Sequence, residues 1–386
     1  MGPAGLPAAH RLLTRLPMRG YEAGLVAALM LAPATARAQS SAADLNKSGW
    51  AAVENNDGDK AAQAFREALN LRPRDPVLTF GAGVAAHLQG REHDASLLLQ
   101  KALELDPRLV AASTLLGEIA YQEGELDLAI RTYEAALERA PRNRALTDRL
   151  AQWRSEAAAY QQFDTLRDDR FSVMFDGPVE KALAARATAV LGDAFWRIGK
   201  AIGSYPSNSI GVILYTDKQF RDITGAPEWA GGGFDGQIRL PVPGALQNVQ
   251  EFDRLLTHEL SHAILRAVAA RNVPVWLNEG LAMHFAGDDA ASVERQLAAA
   301  RIYVPLGVLK SSFTRLNSAQ ANVAYAESLF ATNVLLERVG PGLGDLLQDL
   351  NSGIPIEQAV ERFGITFPAF EADLARRVGA RTQPAG

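Results

Sequence analysis

Small and bulky apolar residues recur every 34 positions through residues 42–143. Glycine stands at 49, 83 and 117, and alanine at 61, 95 and 129. A large apolar side chain follows at Phe65, Leu99 and Tyr133, then alanine at 68, 102 and 136, and proline at 73, 107 and 141. A period of this length is two helices and their turns. The small residues let paired helices approach, the bulky one fills the space between units, and the proline ends the second helix. Arg144 to Gln162 continues as one further helix, a solvating cap for such a stack.

Beyond that point the pattern changes. Arg170 to Phe175 and Ile210 to Tyr215 are β-branched or aromatic runs that predict strands, with a helix from Ala182 to Ile202 between them. Gln237 to Val242 predicts another strand, preceded by glycines and closed by Pro241 and Pro243. Prolines cannot donate to a ladder, so an edge position is expected. From Gln250 to Val268, apolar residues at Phe252, Leu255, Leu256, Leu260, Ala263, Ile264 and Val268 follow a helical period. Asn248 with Glu251 reads as a capping box at its start. Another helix is expected from Asn322 to Arg338, then short helical periods at 346–351, 355–363 and 367–378. The polar stretch Phe163 to Asp169 carries no glycine or proline, so it joins two domains that pack rather than swing. The expected layout is 41–163, 164–378 and a disordered tail at 379–386.

The first 38 residues look like an export signal. Arg11, Arg15 and Arg19 precede an apolar run from Ala23 to Ala32, and Ala36-Arg37-Ala38 offers a small-x-small cleavage site. Met18 as the start would give a more typical leader. The run is shorter than the ~20 apolar residues that span a bilayer, so no membrane span is expected after signal removal. The expected location is periplasmic or secreted. The chain has no cysteine, which excludes disulfides and lipid on cysteine, and 386 residues suffice for a core without them. The formal net charge is −5, and the arginines of the repeats are interleaved with acids. That excludes a nucleic-acid footprint.

Histidine is scarce, with six in the chain, yet two of them fall at 258 and 262 in His-Glu-Leu-Ser-His. At i and i+4 on a helix both imidazoles lie on one face and can reach one metal ion. Glu259 then points at the position where a water would sit. Glu279, within Pro-Val-Trp-Leu-Asn-Glu-Gly-Leu-Ala, can supply a third ligand. Three ligands and an open position make a catalytic zinc site rather than a structural one.

His258-Glu259-x-x-His262 with Trp276-Leu277-Asn278-Glu279-Gly280 resembles the gluzincin metallopeptidases. The Trp-Leu-Asn-Glu-Gly string is similar to that of the aminopeptidase N-like branch, and the layout resembles the peptidase MA-like domains that carry tetratricopeptide repeats. The resemblance spans residues 170–378. It implies one Zn2+ ion held by His258, His262 and Glu279, with Glu259 as general base. It also implies that the edge strand beside the zinc helix binds an extended substrate. Tyr325 is the candidate for a phenol that stabilises the oxyanion. His284 is a lone histidine in an apolar stretch and carries no assigned role. Sixteen residues separate His262 from Glu279, a shortened connection relative to the aminopeptidases. No Gly-x-Met-Glu-Asn string is present. The matching place reads Gly231-Gly-Gly-Phe-Asp-Gly-Gln-Ile-Arg-Leu-Pro241 and offers no amine clamp. The 34-residue period resembles three tetratricopeptide repeats.

The expected fold is mainly α. A tetratricopeptide α-solenoid precedes a thermolysin-like α+β metallopeptidase domain with a small mixed sheet, and the C-terminal helices form a subdomain closing over the zinc. The expected function is exported endopeptidase action on peptide or unfolded protein, with a protein or peptide partner on the repeats. The alternative is a non-catalytic repeat scaffold with a vestigial peptidase-like domain.

Overall fold

The computed structural model describes residues 34–224, 232–242, 248–310, 313 and 316–379. The arginines and apolar run of the expected export signal lie outside the described residues, as do Gly231, Pro243 and the tail after Gly379. The chain divides into two compact units between Ala157 and Ala158.

The first unit is a stack of helices: α1 (Ala34–Glu54), α2 (Gly58–Leu71), α3 (Pro76–Leu88), α4 (Glu92–Leu105), α5 (Val110–Gln122), α6 (Leu126–Arg139) and α7 (Arg144–Tyr160), whose last residues fall in the second unit. From α1 to α6 each helix packs on the next in sequence, and α7 meets α6 through Trp153 on the Tyr133 ring. The repeating alanines and Phe65, Leu99 and Tyr133 are all buried. The glycine of each repeat faces the bulky residue of the same repeat. A methyl group on Gly49 would lie 2.7 Å from the Phe65 ring, one on Gly83 3.1 Å from Leu99, and one on Gly117 2.4 Å from the Tyr133 ring. Phe65 also fills the gap to the next repeat, where a methyl on Gly81 would meet it at 2.4 Å. Asp57 and Asp75 cap α2 and α3 by accepting from backbone N–H groups of the first turn.

The third repeat differs from the other two. Its bulky residue carries a hydroxyl, and Tyr133 donates it to the buried Glu118 at 2.8 Å. Arg149 of α7 donates two hydrogen bonds to the same carboxylate, at 3.1 and 2.9 Å. The guanidinium also lies over the Tyr121 and Trp153 rings at 4.9 and 5.0 Å. The burial of Glu118 is thus compensated by an opposite charge and two kinds of donor.

The second unit opens on a five-stranded mixed sheet of β1 (Asp164–Arg167), β2 (Phe171–Phe175), β3 (Ile210–Tyr215), β4 (Gly233–Phe234) and β5 (Ile238–Pro241) in the order β1-β2-β3-β5-β4. β2, β3 and β5 are parallel, with Phe171 opposite Ile210 and Val212 opposite Ile238, and both edges are antiparallel. The strand ending at Pro241 is therefore not the edge, contrary to the expectation from its prolines. Pro241 lies opposite Tyr215 on the β3 side, and the two-residue β4 covers the other side near Ile238 and Arg239.

Helix α8 (Pro178–Ile202) crosses between β2 and β3, and α9 (Asp217–Thr224) follows β3. Then come α10 (Val249–Val268), α11 (Val275–Ala286), α12 (Ala290–Ala300), α13 (Ser318–Val339), α14 (Leu343–Asn351), α15 (Ile356–Ala359) and α16 (Phe367–Arg377). One hydrophobic core joins Phe171, Val212 and Ile238 of the sheet to Leu191, Leu256, Leu281, Phe330, Leu347 and Phe370. The C-terminal helices α14 to α16 contribute to this same core, so they form no subdomain of their own. On the other sheet face, buried Arg239 donates to the Tyr215 hydroxyl at 2.6 Å and to Asp235 at 2.9 Å.

Candidate functional site

α10 is the helix of the His-Glu-Leu-Ser-His segment. Its apolar stripe of Phe252, Leu256, Leu260, Ala263 and Ile264 is buried, which seats the helix firmly in the core. Asn248 caps it by accepting from Glu251 N at 3.1 Å. Only that half of the expected capping box forms. The Glu251 carboxylate turns instead to Arg254, which donates to it at 2.8 and 2.7 Å. Arg254 also donates to Asp288 at 3.2 Å, just past the C-terminus of α11. That ion pair clasps the far end of α11 to the start of α10.

The other clasp is the site itself. The structure brings His258, His262 and Glu279 together, with their potential ligand atoms all within 4.8 Å of one another. The two Nε2 atoms are 3.2 Å apart, and Glu279 Oε2 lies 3.7 Å from His258 Nε2 and 3.5 Å from His262 Nε2. Glu279 Oε2 is buried and makes no hydrogen bond. His262 Nδ1 donates to Asn278 Oδ1 at 3.3 Å. The amide oxygen can only accept, so a hydrogen is on Nδ1, and Nε2 is the nitrogen turned to the cluster. Asn278 stands beside Glu279 in the sequence, and that adjacency was the only signal of its contact with His262. No such acceptor meets His258 Nδ1, which is buried without a hydrogen-bond partner.

Charges in the cluster are strongly interdependent. Burial works to strip His262 of its proton, but the Glu279 carboxylate overrides it and lifts the pKa to about 9. Burial would likewise protonate Glu279, and the two histidines pull it down to about 2. A buried carboxylate beside two imidazoles that share its charge is a group of this kind that could hold a metal cation. Glu259 is also buried, and its carboxyl is raised chiefly by burial, against the opposing pull of His258 and His262. The backbone at Gly232 passes beside it. A methyl there would make ordinary contact with Glu259 Oε1 at 3.5 Å but would meet Leu240 Cδ2 at 2.4 Å, so any side chain would have to displace that buried leucine.

Tyr325 sits half-buried on α13, edge-on to the Phe313 ring at 5.3 Å between centroids. Its phenol is raised first by burial and then by the Glu279 and Glu259 carboxylates, so it stays protonated and able to donate. His284 is turned elsewhere, with Nδ1 2.9 Å from Asn333 Oδ1 of α13. A capping box of Asn317 and Gln320 starts α13, a signal present in the sequence that extends the helix upstream of the expected Asn322.

The sequence profile of the Peptidase MA superfamily matches residues 190–373. The profile of a tetratricopeptide repeat matches residues 46–108 and 93–144. No curated protein matches the chain. Among solved structures, the chain is similar to the first tetratricopeptide domain of the human RPAP3 protein, studied by NMR. The identity is 22% over 31% of this chain and 94% of that one, with a TM-score of 0.29. It is also similar to the first such domain of Spaghetti (RPAP3) bound to the HSP90 peptide SRMEEVD, at 22% identity, 31% and 97% coverage and a TM-score of 0.30. Residues 190–373 thus form a Peptidase MA superfamily domain, and residues 46–144 are tetratricopeptide repeats.

Proposed function

We propose that the chain is an exported, zinc-dependent endopeptidase whose repeats dock a protein or peptide. The observation that carries the reading is the buried His258, His262 and Glu279 cluster with the Glu259 carboxylate beside it. The donor spacing supports zinc. Two donors each about 2.05 Å from a tetrahedral ion lie about 3.3 Å apart, and the three separations here are 3.2, 3.5 and 3.7 Å. Zinc, when bound, supplies a Lewis acid for the scissile carbonyl and lowers the pKa of a water towards ~7.

The chain's own residues do the rest. Glu259 takes a proton from the attacking water and passes it to the leaving amine, a task suited to a carboxyl whose pKa is raised by burial. The Tyr325 hydroxyl donates to the oxygen on which negative charge develops. Asn278 holds His262 in the tautomer that leaves Nε2 free. Endopeptidase action is favoured because the one acid in residues 232–242, Asp235, already accepts from Arg239 and offers no clamp for a free amine. Docking on the repeats rests on the general use of stacked helix pairs as binding surfaces. The test is zinc content by elemental analysis together with cleavage of casein by the full chain. Stoichiometric zinc without cleavage of casein or of a peptide library would replace this reading with that of a repeat scaffold.

A further inference from the structure

The crossing of α11 and α13 is unusually close at one point. A methyl group on Gly280 would lie 2.0 Å from Thr332 Oγ1 and 2.3 Å from the Ser328 carbonyl oxygen. The second of these is backbone and cannot rotate aside. Ordinary contact begins near 3.4 Å, so any side chain at 280 forces the two helices apart by about 1 Å. Gly280 follows the ligand Glu279 on α11. Ser328 lies three residues after Tyr325 on α13, one helical turn along the same side. The seam is polar as well as tight, since Ser328 and Thr332 are fully buried and Thr332 Oγ1 has no hydrogen-bond partner.

α11 is held to α10 by Glu279 among the histidines and by Asp288 on Arg254. α13 is tied to α11 by Asn333 on His284 and to α16 by Arg338 on Asp373. Displacement that leaves the ligand cluster intact therefore falls on α13 and on the tyrosine it carries.

We infer that Gly280 is a positioning residue: by letting α13 sit directly on α11 it sets the distance between the Tyr325 hydroxyl and the metal-ligand cluster. The inference rests on the reading of Tyr325 as oxyanion donor. A misplacement of about 1 Å can cost roughly 100-fold in rate, so the chemical step should feel the seam before substrate binding does.

The test is a double-mutant cycle on the full chain with zinc, using an internally quenched peptide blocked at both ends that the wild type cleaves. Gly280→Ala should keep its zinc by elemental analysis, lose about tenfold or more in kcat, and change KM by less than about threefold. In a Tyr325→Phe background the same change should cost less than about twofold, because the group it acts through is gone. Thr332→Leu places extra volume at the same crossing from the α13 side. It should reproduce the pattern, and it stands in if Gly280→Ala does not fold. Equal losses in both backgrounds would overturn the positioning role. Loss of zinc from Gly280→Ala would overturn it too, since α11 would then be the helix that moved. A Tyr325→Phe enzyme with unchanged kcat would instead remove the reading of Tyr325, and the inference with it.

Discussion

Glu327 carries a pH dependence of stability that the Peptidase MA domain should show. It lies on α13, is fully buried, and both carboxyl oxygens are without hydrogen-bond partners. Burial pushes its pKa up to about 8, and the Val304 backbone opposes this without reaching the geometry of a hydrogen bond. Tyr303 and the Leu306 amide, either side of Val304 in the chain, both donate to Glu371 of α16, at 3.2 and 2.8 Å. In the unfolded chain Glu327 ionises near 4.5. Between that value and about 8 the folded protein holds a proton that the unfolded one has lost. Stability must therefore fall as pH rises through this window, by about 1.4 kcal/mol per pH unit. Summed over the window the loss is about 5 kcal/mol, comparable to the whole stability of many domains. Glu327→Gln keeps the shape and cannot ionise. Denaturant unfolding of both full-length proteins should be compared from pH 5 to pH 9 at one free-zinc level. The variant should gain on the wild type by about 4 kcal/mol across that range, all of it below about pH 8. Parallel stability curves for the two proteins would refute the argument, because the carboxyl would then titrate alike folded and unfolded.

Glu259→Gln should retain zinc and melting temperature while activity falls by about 10⁴ or more, whereas alanine at His258, His262 or Glu279 should release the metal. Full zinc occupancy in Glu279→Ala would show the third ligand to be another residue. Peptides with a blocked amino terminus should be cut as well as free ones, and a strict need for a free α-amino group would restore an aminopeptidase. Gly117→Ala drives a methyl to 2.4 Å from the Tyr133 ring and should cost about 1–3 kcal/mol. Gly83→Ala meets Leu99 at 3.1 Å and should cost less. Circular dichroism melts that rank these two the other way round would reject the glycine-to-ring account of the repeats. Protein recovered after export should begin at Gln39, and an intact Met1 or Met18 in that fraction would refute the signal assignment.

The repeats were legible because their signal is volume. Glycine, alanine and a bulky residue alternate at fixed spacing, and the contacts that need those volumes lie within one repeat or between neighbours. The cluster of His258, His262 and Glu279 was legible for a related reason, since two of its members share one helical face. What the sequence hid depends on distant pairing. β1 is exposed along its whole length and reads as polar linker; it is a strand only because Asp164 to Arg167 align with Phe175 to Ser172. The inner place of β5 is decided by the two-residue β4, far too short to show a period. α12 buries a single one of its residues, Leu297, and so carries almost no apolar stripe. Glu251 was read as a capping residue because the sequence does not reveal that Arg254 competes for its carboxylate.

The ion pair at the end of the repeat stack bears on how such an array can grow. Duplication of a 34-residue unit is a simple route to a longer array. The first two repeats meet through apolar faces, small residues and an exposed bond from Gln89 to Asp59, and among the described residues neither buries a charged side chain. A copy inserted there would find a matching surface on both sides. The junction between α6 and α7 is different, because Glu118 depends on Arg149 of the cap as well as on Tyr133. A unit placed between them would separate the carboxylate from its counter-charge, and stranding one partner of a buried pair costs about 3–5 kcal/mol. The array can therefore lengthen from its amino-terminal side, while its carboxy-terminal repeat and cap must be inherited as one piece.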